Sequence, residues 1–514
     1  MIPKNDIKNV IFIMTDSLQR DYLTVYGNEW MKTPNYERFA KQATVFDNNF
    51  TEGLPTVPCR RAMMTGRYTL PFVGWSPLRP EDTTVSDILW GTGIQTSLVY
   101  DTGPMRLPKY GYSRGFEYTK FIHGQELDNH FLGDVCHLNP DDYLEEESMK
   151  GIEPHIIESM KHEMKGILAN RQEWRSQDDH QVAKVTLAAA NYLENEVDPK
   201  KPFFLWVDSF DPHEPYDSPS VWDYNDDDCP YDPGYEGKDQ FEQIPGMVEG
   251  RFTEPQLKHI RSLYAEKITL VDKYIGKLLD KIKNLGLWDN TLIILTSDHG
   301  KPHGLDEHGH GLMRMVRPWP YVEMAHTPLI IRYPGYGEGE RVKSYTQSCD
   351  MAPTILDMFG MLNVEGKKTS GFDIQSSCNT EDIQGVSLLP LIRGDEDAKT
   401  RDFAISGYYG YAWTIFNDDY SYIHWLRECE SDDEMFEILY DGFGSADGVH
   451  AETRQSEDMW TCTPHTKVEI PEADMLFDRN KDQYQLNNII KEQPKVGEKM
   501  LKKLKLFMGE LRTS

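Results

Sequence analysis

The chain has 514 residues, 39% hydrophobic and 11% aromatic, which supports a large packed core but is too long for one compact unit; one large domain with a smaller appendage, or two domains, is expected. Eighty-four acidic against 54 basic residues give a formal net charge of −30, a field that repels nucleic acid and anionic membrane surfaces alike. Seven scattered cysteines, none in a C-x-x-C pair, suggest neither a disulfide framework nor a zinc knuckle and fit a reducing cytoplasm.

The opening MIPKNDIKNVIFIMTDS holds an apolar run of only about five residues, short of a signal-peptide core, and no later stretch approaches the ~20 apolar residues of a membrane span. A cytoplasmic protein is therefore expected, with homo-oligomerisation left open. The run NVIFIMTDS is continuous, apolar and β-branched, the pattern of a strand buried on both faces of a parallel sheet, and it ends in Asp16. NYERFAKQATVFDNNF reads as a short helix and a strand. TTVSDILWGTGIQTSLVY reads as helix, turn and strand, and KPFFLWVDSFDPHEPY as a buried strand entering a polar loop. From about Glu254 to Leu285 apolar positions Leu263, Ile268, Val271, Ile275 and Leu278 repeat at helical spacing, and WDNTLIILTSDHG then gives a strand ending in Asp298.

Alternating helices and apolar strands indicate an α/β fold with a mostly parallel central sheet flanked by helices. The strand ends at Asp16, at Asp208 to His213, and at Asp298 with His299 are expected along one edge of it. The acidic, Pro-rich stretch 217–239 reads as an exposed insertion. From about Thr400 aromatic alternation suggests an antiparallel meander, interrupted by an acidic loop at 428–460 and closed by a lysine-rich helix from about Gln493 to Leu511. A catalytic domain over 1–395 and a smaller α+β domain over 396–514 are expected.

Asp16, Asp298 and His299 offer carboxylate oxygens and an imidazole to a divalent metal ion, although loop aspartates also commonly cap turns. PTVPCRRAMMTGRY adds two candidate nucleophiles, Thr56 and Cys59, together with Arg60, at the start of a helix whose N-terminus favours an anion. DPHEP contributes His213, and DHGKPHGLDEHGHG contributes His308 nine residues after His299. Together these favour a metal-assisted hydrolytic site for an anionic small-molecule ester.

With these motifs in this order, the chain resembles the sulfatases of the alkaline phosphatase superfamily, which also holds phosphodiesterases and phosphonate monoester hydrolases. VIFIMTDSLQRDYLTVYGN, KTPNYERFAKQATVFDNNF, MAPTILDMFG, GVSLLPLIRG and LFDRNKDQYQLNNI resemble further landmarks, so the likeness covers most of the chain. The signature C-x-P-x-R falls on Thr56-Val57-Pro58-Cys59-Arg60, with Thr65-Gly66-Arg67 as its anchor. The resemblance thus puts Thr56 in the nucleophile position and Cys59 where a small residue packs in the first helical turn. It implies metal ligation by Asp16, Asp298, His299 and the Thr56 oxygen, and catalytic roles for Thr56, Arg60, His213 and His308.

The departures are informative. Sulfatases convert the signature Cys to formylglycine, whose hydrate releases sulfate by collapse; threonine cannot form that gem-diol, whereas a Thr-linked phosphorus ester can be hydrolysed by water. Ser17 stands where the pattern often has a second Asp, so one Mn, Zn or Mg ion is favoured over Ca, which prefers more oxygens. Four residues beyond Asp211, where two-metal members carry a His, stands Pro215. A single ion suits phosphodiesters, phosphonate monoesters and sulfate esters better than phosphate monoester dianions. The family's lysine after the last histidine is missing in register, where Leu312 and Met313 stand, with Arg314 as a candidate replacement. Asp101, Arg106, Lys109 and Arg114 are candidate pocket residues, weighed against an ordinary solvated loop. Hydrolysis of phosphodiesters or phosphonate monoesters through Thr56 is the expected function. The alternatives are a sulfatase working without formylglycine and an inactive anion-binding homologue.

Overall fold

The computed structural model of the protein describes residues 7–107, 110–126, 128, 130–152, 154–225, 227–243, 246–304, 309–314, 319–362, 367–368, 377–378, 380, 382–398, 401–426, 471 and 473–513. Strand β1 (Asn9–Thr15) is followed by helix α1 (Pro34–Ala40), strand β2 (Thr44–Phe50), helices α2 (Thr56–Thr65) and α3 (Val85–Leu89), and strands β3 (Gln95–Tyr100) and β4 (Tyr118–Phe121). Helices α4 (Pro154–Arg171) and α5 (Gln181–Asn195) lead into β5 (Phe203–Ser209), and the long α6 (Glu254–Asn284) leads into β6 (Thr291–Ser297). Strands β7 (Leu329–Arg332) and β8 (Arg341–Gln347) and helix α7 (Met351–Met358) follow.

These strands form one eight-stranded sheet in the order β8-β2-β7-β6-β1-β5-β3-β4. Neighbours pair in parallel except at β7, which is antiparallel to both β2 and β6. Every residue of β1, β5 and β6 is buried, which accounts for their unbroken apolar runs. Period-two alternation sends Ile11 and Ile13 to the face covered by α1, α4, α5 and α6, and Val10, Phe12 and Met14 to the face covered by α2, α3 and α7. Leu263, Ile268, Val271, Ile275 and Leu278 all lie in the first of these cores, as the helical spacing of α6 requires.

A second sheet runs β9 (Ala404–Tyr408), β10 (Ala412–Phe416), β11 (Tyr420–Trp425) and β12 (Met475–Asp478), antiparallel throughout, with helix α8 (Pro494–Thr513) packed on it. Leu504 and Met508 of α8 share a core with Ile415, Tyr422 and Leu476, and with Ala62, Tyr68 and Leu70 at the end of α2. The acidic loop expected at 428–460 lies wholly outside the described residues.

The stretch 217–239 departs from the exposed insertion expected of it. Asp217, Ser218, Pro219, Val221, Trp222, Cys229, Tyr231 and Asp232 are buried, and Val221, Trp222, Cys229 and Tyr231 join the core beneath α6. Its acidic composition hid these apolar anchors.

Candidate active site

Parallel strands end on the same edge, so β1, β5 and β6 deliver their terminal carboxylates side by side. Met14 pairs with Asp208 and Thr15 with Ser297, which sets Asp16 and Asp298 next to each other at adjacent strand ends. Asp16, Asp298 and His299 are fully buried, with ligand atoms all within 4.8 Å of one another. Asp16 Oδ1 accepts from the Ser17 hydroxyl at 2.8 Å, while Asp298 Oδ1 accepts from the amides of Ser17 at 3.0 Å and His299 at 2.7 Å. Ser17 (φ 60°) thus turns the loop and orients both carboxylates.

His299 Nδ1 faces the Gly300 carbonyl at 2.8 Å; that oxygen can only accept, so Nδ1 carries a proton and Nε2 is the ring nitrogen turned to the cluster. Nε2 lies 3.2 Å from Thr56 Oγ1 and 3.5 Å from the Asp298 carboxylate. Gly300 is required by close packing, because a Cβ there would sit 1.9 Å from the Glu323 carbonyl oxygen.

Helix α2 opens at Thr56, and Pro55 offers no side-chain cap, so the positive end of the helix is presented here. Cys59, one turn on, points elsewhere: its Sγ donates to the Asp298 carbonyl at 3.0 Å and accepts from the Thr51 hydroxyl at 2.9 Å. Burial, and then Asp298, push its thiol well above the ordinary range. The Thr56 hydroxyl therefore faces His299, whereas the Cys59 thiol is bonded to Thr51 and to the Asp298 carbonyl.

Arg60 is fully buried and bridges all three strand ends. It pairs with Asp208 through Nε at 3.0 Å and Nη2 at 2.7 Å, with Asp298 at 2.6 Å and with Asp16 at 3.0 Å. Asp208 was flagged by the sequence only as a strand end; Thr102 Oγ1 and Trp206 Nε1 also donate to it, at 2.6 and 3.2 Å. Three carboxylates against one guanidinium leave two negative charges uncompensated, and Asp16 Oδ2 lies near Arg60 without a hydrogen bond of good geometry. Burial and the charge of Asp298 accordingly raise the Asp16 carboxyl to about 7. The donor set, its charge deficit and the bare oxygen all fit a divalent cation.

His213 stacks on Phe210 at 4.1 Å and gives its Nδ1 proton to the Glu214 carbonyl at 2.8 Å. Burial, then Lys301 and Arg314, push it well below the ordinary histidine range, so it is neutral at neutral pH with a lone pair on Nε2. Two partners that the motifs did not mark are the fully buried Glu214, which contacts Lys301, and Lys301 itself. Arg314 pairs with Glu214 at 3.1 Å, with Glu126 at 3.5 Å and with Glu242.

His308 lies outside the described residues, as does Lys109. Asp101 is buried and accepts from the Phe210 amide at 2.7 Å, which supports the end of β5. Arg106 pairs with Asp128 and lies over the Phe121 ring, whereas Arg114 ties its loop to Asp87 of α3.

With this geometry in place, comparison with known proteins is decisive. The family model described as Sulfatase matches residues 8–361. The chain belongs to the sulfatase family. An N-acetylglucosamine-6-O-sulfatase of Bacteroides thetaiotaomicron is 24% identical over 512 residues, spanning 84% of this chain and 81% of its own. The multifunctional alkaline phosphatase superfamily protein PehA of Trinickia caryophylli is 25% identical over 402 residues, spanning 69% and 74%. The crystal structure of the phosphonate monoester hydrolase of Agrobacterium radiobacter has the same fold, with a TM-score of 0.64 at 19% identity and coverage of 98% and 96%. A structure solved with its substrate D-glucosamine-2-N,6-O-disulfate gives a TM-score of 0.62 at 20% identity, covering 99% of both chains. Sulfatase-family homologues are metal-dependent ester hydrolases that act on sulfuric esters and phosphonate monoesters.

Proposed function

We propose that the protein hydrolyses phosphodiesters or phosphonate monoesters with Thr56 as nucleophile and one Mn, Zn or Mg ion. The observation that carries this reading is the Thr56 hydroxyl at the open start of α2, 3.2 Å from His299 Nε2, while the Cys59 thiol is spent on the Asp298 carbonyl. Asp16, Asp298, His299 and the Thr56 oxygen would hold the ion, which supplies Lewis-acid neutralisation of the transferred group's charge. Arg60 holds Asp16, Asp208 and Asp298 in register.

In the first step the Thr56 hydroxyl gives its proton to water, its oxygen bonds to phosphorus, and the bond from phosphorus to the leaving oxygen breaks as that oxygen takes up a proton; in the second, a water oxygen bonds to phosphorus, the Thr56–phosphorus ester bond breaks, and the Thr56 oxygen is reprotonated. His213, neutral and with its Nδ1 proton committed to Glu214, suits the base that takes a proton from that water. The acid for the leaving oxygen falls to His308. We further propose a cytoplasmic location, with which the free thiols of Cys59, Cys136, Cys229 and Cys349 agree, and a division of the chain near 395.

Sulfate ester hydrolysis without formylglycine is a second reading, favoured by relatives described as an N-acetylglucosamine-6-O-sulfatase and an arylsulfatase. Turnover by the metal-loaded protein of matched p-nitrophenyl sulfate, phosphate monoester, phosphodiester and phosphonate monoester separates the two. A phosphorus ester cleaved fastest, with Thr56→Ala lowering kcat by about 10³-fold or more, supports the first reading. Sulfate cleaved fastest supports the second. Binding of these esters without turnover of any identifies an inactive homologue.

A further inference from the structure

Lys267 sits on the buried face of α6, fully enclosed. Its Nζ donates to the carbonyls of His213 at 3.0 Å and Pro215 at 2.5 Å, and pairs with Asp211 Oδ1 at 2.9 Å and Asp217 Oδ1 at 2.7 Å. Four oxygens of the single loop 211–217 thus converge on one ammonium that has only three N–H groups, an arrangement closer to ion coordination than to an ordinary side-chain contact. Carboxylate and carbonyl oxygens are the donors that hard cations select.

The cage is itself braced. Asp211 accepts from Gln125 Nε2 and from the Val182 amide, each at 2.8 Å, and Asp217 pairs with Arg171 at 2.7 Å. Burial opposes a charge on Lys267, but Asp211 and Asp217 outweigh it and hold the ammonium above the ordinary lysine range.

The two carbonyls that Lys267 grips flank Glu214. Fixing them fixes the His213 ring, whose Nδ1 donates to the Glu214 carbonyl, and the Glu214 carboxylate, which holds Lys301 and Arg314. We propose that Lys267 is a positioning residue of the active site: its ammonium is a resident cation in an oxygen cage, and it aims His213 at the reacting group while seating the Glu214 carboxylate against Lys301 and Arg314. This rests on the proton-transfer role given to His213 above.

The test uses the full chain loaded with Mn²⁺ and the p-nitrophenyl ester that it turns over fastest. Lys267→Ala is expected to lower kcat by about 10²-fold, the loss that a displacement of roughly 1 Å can cause, with a much smaller change in KM. Methylammonium chloride, which can refill the cage, is expected to recover at least about tenfold of that loss. Tetramethylammonium chloride, which has no N–H, is expected to recover none.

Should Lys267→Ala not fold, the charge-balanced double variant Asp211→Asn with Lys267→Met is expected to show the same fall in kcat. Hydrogen exchange of the His213 and Tyr216 amides, bonded to the carbonyls of Phe210 and Phe241, is expected to rise in both variants; this readout needs no turnover. Wild-type kcat together with wild-type exchange in either variant overturns the proposal, as does equal recovery with tetramethylammonium. Raised exchange with intact kcat leaves the cage standing and overturns the role assigned to His213, so the two readings fail separately.

Discussion

Two buried charge clusters lie at the same edge of the central sheet, and they differ in how their carboxylates are balanced. Asp16, Asp208 and Asp298 share the single guanidinium of Arg60, whereas Asp211 and Asp217 are matched by Lys267 and Arg171. The first cluster is short of positive charge, and burial with Asp298 lifts Asp16 to about 7. In the second, burial again pushes Asp217 up, but Lys267 and Arg171 outweigh it and hold the carboxyl well below its ordinary 3.8. The presence of aspartates therefore does not make a metal site; the count of cations buried with them decides which cluster stays open to an ion.

The largest effect is expected where this balance is already poorest. Arg60→Met removes the guanidinium that pairs with three carboxylates and should cost about 3–5 kcal/mol in denaturant unfolding of the metal-free protein. The same variant should regain more stability from Mn²⁺ than wild type does. Equal gains in the two proteins would break the comparison.

Next comes the ion itself. At about 100 times its Kd, Mn²⁺ should stabilise wild type by about 2.7 kcal/mol and lose most of that effect in Asp298→Asn, as measured by unfolding with and without chelator. Asp217→Asn, in the balanced cluster, should leave the Mn²⁺ increment unchanged while costing about 2 kcal/mol at neutral pH.

The pH dependence of that last difference carries its own sign. Because the folded value of Asp217 is depressed, its stabilisation is fully present above 3.8 and is lost as pH falls through the lower folded value. The gap between wild type and Asp217→Asn should therefore hold steady from pH 5 to 8 and close only in strong acid; a gap that closes near pH 7 would contradict the assignment. Smallest is Cys59→Ala, expected to cost about 1 kcal/mol for its lost hydrogen bonds and to leave kcat within about threefold, checked by turnover and by the resistance of the native thiol to iodoacetamide.

Much of this was legible from residue order. The apolar runs before Asp16, Asp208 and Asp298 read as buried parallel strands because residues enclosed on both faces leave no polar alternation, and parallel strands must bring their ends to one edge. Thr56, Arg60, His213 and His299 followed from their motifs. Lys267 did not, although a lysine between Leu263 and Val271 on the apolar stripe of α6 was a visible signal of a buried charge. Stretch 217–239 misled because acidic residues outnumber the few apolar side chains, such as Val221 and Trp222, that anchor it.

By itself, then, the sequence determined the layered α/β architecture and the identity of the chemical groups, since strand periodicity and motif spacing are local properties of the chain. Tertiary structure alone decided that the Cys59 thiol bonds to Thr51 and the Asp298 carbonyl, and that Arg60 serves three aspartates while Lys267 and Arg171 serve two. Helix rotation and the pairing of charges between residues far apart in the chain are set only when separate elements pack together.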